Sequence, residues 1–320
     1  MRELSYCAVF FILATLACAR AAKSDTSLWT KRPESPVLGG SLGTCFDICV
    51  LDDDGAYRMY FSWRPKKSVA LVTSDDGIHW SPPAIVLGPN PKTDWESDIN
   101  RPIVLRRDGL WRMWYTGQSH GHSRIGYATS PDGRHWTRRS EKPVLAPQAE
   151  WEKVAVMCPH VLFDEPSKQY RMWYSAGDQY EPDAIGYATS TDGLHWTRNS
   201  ANPIFKADSA DAWERHKVTA CQVIPHDGWF YMFYIGFADE NHARIGLARS
   251  RDGVTAWQRL PTNPIISPTP GGWDADACYK PSALFDRKSE RWLLWYNGRR
   301  GGVEQIGLAE HAGAELWNGP

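Results

Sequence analysis

The chain has 320 residues, 42% hydrophobic and 23% charged, a composition that suits a folded domain and excludes a disordered chain or a polytopic membrane protein. Thirty-six Lys and Arg against 37 Asp and Glu leave a net charge of -1, so no basic field is present to hold a nucleic-acid backbone, and nucleic acid is excluded as a partner. The 17 Trp stand several times above the roughly 1% usual in soluble proteins.

The N-terminal segment reads as a targeting sequence. Met1-Arg2-Glu3 precedes an apolar run from Tyr6 to Ala19 that is too short for a membrane span, with small residues at Ala17, Ala19, Ala21 and Ala22. A cleaved signal over residues 1–22 is expected, with a secreted or periplasmic destination and a folded domain over 27–320. In Thr15-Leu16-Ala17-Cys18 the Leu falls one place late for a lipoprotein cleavage box, so lipid anchoring through Cys18 is not expected. Cys45, Cys49, Cys158, Cys221 and Cys278 then remain, without any C-x-x-C spacing. Neither a metal nor another cofactor is predicted.

From Trp29 onward the chain repeats itself. WTKRPESPVL at Trp29 matches WTRRSEKPVL at Trp136. VALVTSDDGIHW ends at Trp80, IGYATSPDGRHW at Trp136, IGYATSTDGLHW at Trp196, IGLARSRDGVTAW at Trp257 and IGLAEHAGAELW at Trp317, giving spacings of 56, 60, 61 and 60. Before each lies a strand-like segment: RMYF at 58, RMWY at 112, RMWY at 171, YMFY at 231 and LLWY at 293. Earlier still come short apolar runs at 46–50, 101–105, 159–163, 220–224 and 281–285, each leading into a turn. Entry segments Trp95-Glu96, Trp151-Glu152, Trp213-Glu214 and Trp273-Asp274 complete the later units.

Four strand-like segments per unit, with no convincing helix, predict an all-β five-bladed β-propeller of four-stranded antiparallel blades. The blades fall at approximately 39–80, 81–136, 137–196, 197–257 and 258–317, and the segment at Trp29 closes the ring beside the last one. Sixteen of the 17 Trp occupy repeated positions, which assigns them to packing; Trp63 stands apart. Asp76, Asp132, Asp192 and Asp252 are repeated too, but Asp-Gly before Trp is hairpin chemistry, so they are not catalytic candidates.

The candidate site residues are those that differ between units. Asp47 lies inside the innermost strand of the first blade, where the other blades place Arg101, Cys158, Ala220 and Lys280. A carboxylate at a buried axial position needs a partner or a shifted pKa. The run WESDINRP adds Glu96, Asp98 and Asn100, WDADACYKP adds Asp274 and Asp276, and upper loops add Asp178, Tyr180 and Glu240.

In its IGYATSxDGxxW strands, its RMWY strands and its Trp-acid entry before a Pro-containing inner strand, the chain resembles the five-bladed propeller glycosidases of glycoside hydrolase families 43, 32, 68, 117 and 130. The resemblance implies a base or nucleophile at Asp47 and an orienting carboxylate at Asp98. It also implies a Glu two residues before the Pro of the third blade, where this chain has Met157. A thioether donates no proton, so the acid is expected elsewhere, with Glu152 favoured over Asp178, Glu240 and Asp276. Arg101, His160, Asp178, Asp276 and Lys280 are the expected substrate-binding residues, and Trp63 and Tyr180 the candidate sugar-stacking aromatics. The leading expectation is a secreted glycosidase that releases a terminal sugar, such as an arabinose or fructose furanoside, from an oligo- or polysaccharide through two carboxyl groups. The alternatives are a non-catalytic glycan-binding propeller and a mannoside phosphorylase or hydrolase resembling family 130, with Arg101 and Lys280 on phosphate.

Overall fold

The computed structural model describes residues 29–180 and 182–317; the expected signal segment and Cys18 lie outside them. The fold is all-β. Its helical content among the described residues is three short turns at Gly40–Leu42, Arg64–Lys66 and Glu150–Glu152, and no helix there is long and apolar enough to cross a membrane.

The strands gather in antiparallel groups of four. The first unit contains Cys45–Asp53, Ala56–Trp63, Ser68–Ser74 and Ala84–Leu87. The second contains Asp98–Arg107, Leu110–Ser119, His122–Ser130 and Thr137–Arg138. In the third, Ala155–Asp164, Gln169–Gly177 and Ala184–Ser190 are followed by Thr197–Arg198 and Phe205–Lys206, which both pair with Ala184–Ser190. A single parallel bridge, Ala155 to Ser123, joins the second and third units into one sheet. The fourth comprises Lys217–His226, Trp229–Phe237, Ala243–Ser250 and Gln258–Arg259. In the last, Ala277–Asp286, Arg291–Arg300 and Val303–Ala312 are completed by Trp29–Lys31, with Trp29 opposite His311.

Aromatic side chains join each unit to the next. Trp114, Trp173 and Trp295, all fully buried, donate their indole N–H to the carbonyls of Gly193, Gly253 and Gly77 in the following unit. The first unit does the same with the Tyr60 hydroxyl and Gly133. In the fourth the equivalent residue is Phe233, which has no donor and packs edge-on against Trp29 at 5.9 Å. The recipient Asp-Gly turns are held locally: Asp132 Oδ1 accepts from the amides of Arg134 and His135, and Ser130 Oγ accepts from Gly133. Most of the tryptophan excess is therefore packing, as its periodicity predicts.

A buried ionic triad holds four of the units. Glu96 accepts from Tyr115 at 2.6 Å and Arg138 at 2.8 Å, Glu152 from Tyr174 at 2.8 Å and Arg198 at 2.7 Å, and Glu214 from Tyr234 and Arg259, each at 2.5 Å. The last unit substitutes Asp274, Tyr296 and Lys31, the lysine coming from the first described strand. The Tyr ring lies so close to the third strand that a Cβ on Gly186 would sit 2.7 Å from Tyr174 Cζ, which fixes glycine at that position.

Burial opposes ionisation of Glu152, but Arg198, the amides of Gln148 and Ala149, and the Tyr174 hydroxyl outweigh it and hold the carboxyl below its usual 4.5. A folded-state value below the unfolded one adds stability that is fully present above pH 4.5 and is lost as pH falls through the folded value. Removing the cation leaves a buried carboxylate unpaired. Arg198→Ala should lose about 3 kcal/mol in urea unfolding at neutral pH, with the deficit shrinking below pH 4.5.

Candidate active site

The five inner strands share a distortion. Each carries a bulge against its neighbour, between Phe46 and Cys49, Asn100 and Ile103, Met157 and His160, Thr219 and Cys221, and Tyr279 and Ser282. The bulge residues Asp47, Arg101, Cys158, Ala220 and Lys280 all have positive φ, from 34° to 53°. Left-handed backbone is unfavourable for such residues and persists only where surroundings enforce it. In four cases the bulge amide donates to a side chain of the preceding unit: Asp47 to Asn297, Arg101 to Ser62, Cys158 to Thr116 and Ala220 to Ser175. The fifth such position is Ile235, whose side chain has no polar atom.

The bulges bring together the residues at which the units differ. Asp47 is only 4% exposed. Its Oδ1 lies 3.4 Å from Lys280 Nζ and its Oδ2 3.6 Å from Arg101 Nε. These are ion-pair contacts, and neither carboxylate oxygen accepts a hydrogen bond among the described residues. Lys280 Nζ also donates to Cys158 Sγ at 3.3 Å. Arg101 donates to Asn100 Oδ1 at 2.7 Å, and Asn100 Nδ2 in turn donates to Asp98 Oδ1 at 3.0 Å. The two carboxylates expected from sequence are thus linked through Asn100 and Arg101. A cavity of about 50 Å³ lies among Asp47, Arg101, Cys158, Ala220 and Lys280.

The other expected residues are placed elsewhere. Glu152 is the carboxylate of the third unit's triad, engaged by Arg198, Tyr174 and two backbone amides. That environment favours its ionised form and opposes the expected role of proton donor. Asp178 is exposed beside Lys153 at 3.3 Å, Asp276 accepts from the Gly301 amide at 2.7 Å, and Glu240 is exposed and pairs with His216 at 2.9 Å. Trp63 is half-buried and donates to the Leu42 carbonyl, whereas Tyr180 is 67% exposed. Sequence reasoning missed the triad cations, although their signal was present: Lys31, Arg138, Arg198 and Arg259 each stand two residues after a repeated Trp.

His160 lies on the far side of the axial layer from the entry segments. With Cys49, Gln222 and Ser282, each two residues beyond a bulge, it ties its strand to the backbone of the next unit. His160 meets the Val223 carbonyl, Cys49 the Val104 amide, Gln222 both backbone groups of Ala283, and Ser282 the Val50 amide. The fifth position is Ile103, whose side chain carries no polar atom. Beyond these ties opens a cavity of about 760 Å³ lined by all five inner strands, with Trp111, Phe163, Phe285 and Trp292 in its wall. This cavity lies beyond the bulges, on the side away from the entry segments.

Antiparallel four-stranded sheets, all-β throughout, are the architecture of the propeller-type glycoside hydrolases, the class to which the comparisons point. Residues 49–220 match the model of the glycosyl hydrolases family 32 N-terminal domain, and with more than half its length matched the chain belongs to that family, a family of glycosidases. An uncharacterised protein of Mycobacterium tuberculosis is 28% identical over 274 residues, 79% of this chain and 87% of the relative. A 1,2-beta-oligomannan phosphorylase of a Thermoanaerobacter species is 32% identical over 134 residues, 38% of this chain and 43% of the relative. A solved structure described as a glycoside hydrolase superposes with a TM-score of 0.71 at 16% identity, covering 88% of this chain and 92% of the other.

Burial lowers the pKa of His160 to about 4, against a smaller opposing effect of its bond to the Val223 carbonyl. Because the folded value lies below the usual 6.5, the unfolded chain takes up protons first as pH falls, and stability declines between pH 6.5 and about 4. His160→Gln keeps an N–H for Val223 and should remove up to about 3 kcal/mol of that pH dependence, measured by denaturant unfolding at pH 7 and pH 4.5.

Proposed function

We propose that the protein is a secreted glycosidase, built as a closed five-bladed propeller, that releases a terminal sugar from an oligo- or polysaccharide at Asp47. The five groups of strands, their linking aromatic contacts and the pairing of Trp29–Lys31 with the last unit support the closed ring.

The observation that carries the chemistry is the state of Asp47. A buried carboxylate whose oxygens accept no hydrogen bond is costly, and here it borders a cavity of about 50 Å³. An incoming water or sugar atom would meet that unfilled acceptor capacity. In this reading Asp47 takes the proton of the attacking water, while Arg101 and Lys280 fix the carboxylate between them. The water oxygen bonds to the anomeric carbon as the bond to the leaving oxygen breaks and that oxygen takes up a proton from solvent, the course of an inverting enzyme. Asp98, held by Asn100, positions the sugar from the second unit, and Tyr180 offers an exposed ring to it.

Phosphorolysis is the second reading, favoured by the partial match to the oligomannan phosphorylase and by the paired cations Arg101 and Lys280, which suit phosphate. Asp47→Asn should lower turnover of a cleaved aryl glycoside by roughly 10³-fold or more with the fold intact; wild-type turnover by this variant excludes the assignment. Assays with and without inorganic phosphate separate the two reactions, hydrolysis proceeding equally in both.

A further inference from the structure

We propose that Cys158 is an oxidative modification site, at which a hydroperoxide places one oxygen on the sulfur and Lys280 holds that oxygen beside Asp47. The chemistry at sulfur is independent of any reaction on sugar; its effect on turnover rests on the reading of Asp47 as the reaction site.

Cys158 occupies the bulge of the third unit at φ 51° and lines the cavity of about 50 Å³ together with Asp47, Arg101 and Lys280. Lys280 Nζ donates to its Sγ at 3.3 Å. An ammonium in that position stabilises the negative charge that sulfur carries when it attacks an electrophile. Two cations, Arg101 and Lys280, share the carboxylate of Asp47, so the single acid does not cancel the positive field around the sulfur.

The other described thiols lack this arrangement. Burial pushes those of Cys45, Cys49, Cys221 and Cys278 up in pKa, which keeps them protonated and slow to react. Cys49 meets the backbone of Val104. Lys31 reaches Cys278 at 3.6 Å, but that thiol gives its own proton to Asp274 at 3.4 Å.

The cavity favours a small oxidant. One water needs about 10–15 Å³ of such space, so about 50 Å³ admits hydrogen peroxide and refuses a bulky disulfide. Cys158 is 8% exposed, which leaves it within reach of solvent. The buried Asp47 carboxylate, whose oxygens accept no hydrogen bond among the described residues, offers acceptors to the O–H groups of the peroxide.

In the step, the Cys158 sulfur bonds one peroxide oxygen and the O–O bond breaks. The leaving oxygen carries off the bonding pair, takes the thiol proton and departs as water. Sulfur is oxidised by two electrons to a sulfenic acid while the peroxide is reduced by two. Two molecules of an external thiol reverse the change, yielding one disulfide and one water. While present, the added oxygen fills part of the cavity and draws the Lys280 N–H away from Asp47.

The test treats the whole protein with hydrogen peroxide and a dimedone probe for sulfenic acids, and locates the label by peptide mass spectrometry. In the folded protein Cys158 should label about tenfold faster than any other cysteine, a preference that should vanish in urea. Lys280→Met should slow the labelling about tenfold and Lys280→Arg restore most of it, with near-UV circular dichroism confirming each fold. Cys158 labelled no faster than the other thiols overturns the assignment, as does wild-type labelling in a folded Lys280→Met variant. Turnover of the para-nitrophenyl glycoside that the wild type cleaves fastest should fall in step with the label and return with dithiothreitol. In Cys158→Ser it should no longer respond to peroxide. Label at Cys158 without loss of turnover instead overturns Asp47 as the reaction site and leaves the oxidation standing.

Discussion

The molecule depends on five bulges in which residues other than glycine are held at positive φ. A regular inner strand would point its side chains alternately at the two neighbouring units, leaving none on the axis. The bulge breaks that alternation and presents one residue per unit at a common level. Such backbone costs on the order of 1–3 kcal/mol at each position, and the side chains of Asn297, Ser62, Thr116 and Ser175 offset part of this by accepting from the bulge amides. Each supporting residue directly follows an aromatic of the second strand, so the strand that packs the core also supports the site.

The same scaffold separates two populations of buried carboxylate. Glu96, Glu152, Glu214 and Asp274 each face a Tyr hydroxyl and a cation at short range, and their acceptor capacity is consumed. The Asp47 carboxylate faces two cations at ion-pair distance and accepts no hydrogen bond among the described residues. The first arrangement holds the units together. The second leaves acceptor capacity unfilled, and this difference, rather than burial, sets Asp47 apart from the four acids that join the units.

The sequence made legible whatever repeats. Strand number, the packing role of the Trp residues and the turn role of Asp132 follow from period and spacing, because the same physical problem is solved several times along the chain. The odd residue at a repeated position was legible too, which is how Asp47, Arg101 and Lys280 stood out. The structural role of Glu152 is not legible, because its partner Arg198 lies 46 residues away, beyond any local pattern. The far-face chamber was not legible at all. Its wall is built from Ile48, Pro102 and other residues that look like ordinary strand, and a void between strands leaves no mark in the spacing of any one of them.

Lys31 and Asp274 are separated by 243 positions in the chain, yet their contact completes the same triad that the other units assemble from nearby segments. Closing a loop of that length costs on the order of 5 kcal/mol in chain entropy, whereas the second and third units close theirs over far shorter spans. During vectorial synthesis the second, third and fourth units have all their strands as they emerge, but the last must recruit a segment whose Lys31 precedes its partner Asp274 by 243 residues. That segment waits unpaired while the intervening units are made, so its pairing with the last unit closes the longest loop and is the contact expected to form slowest and to open first.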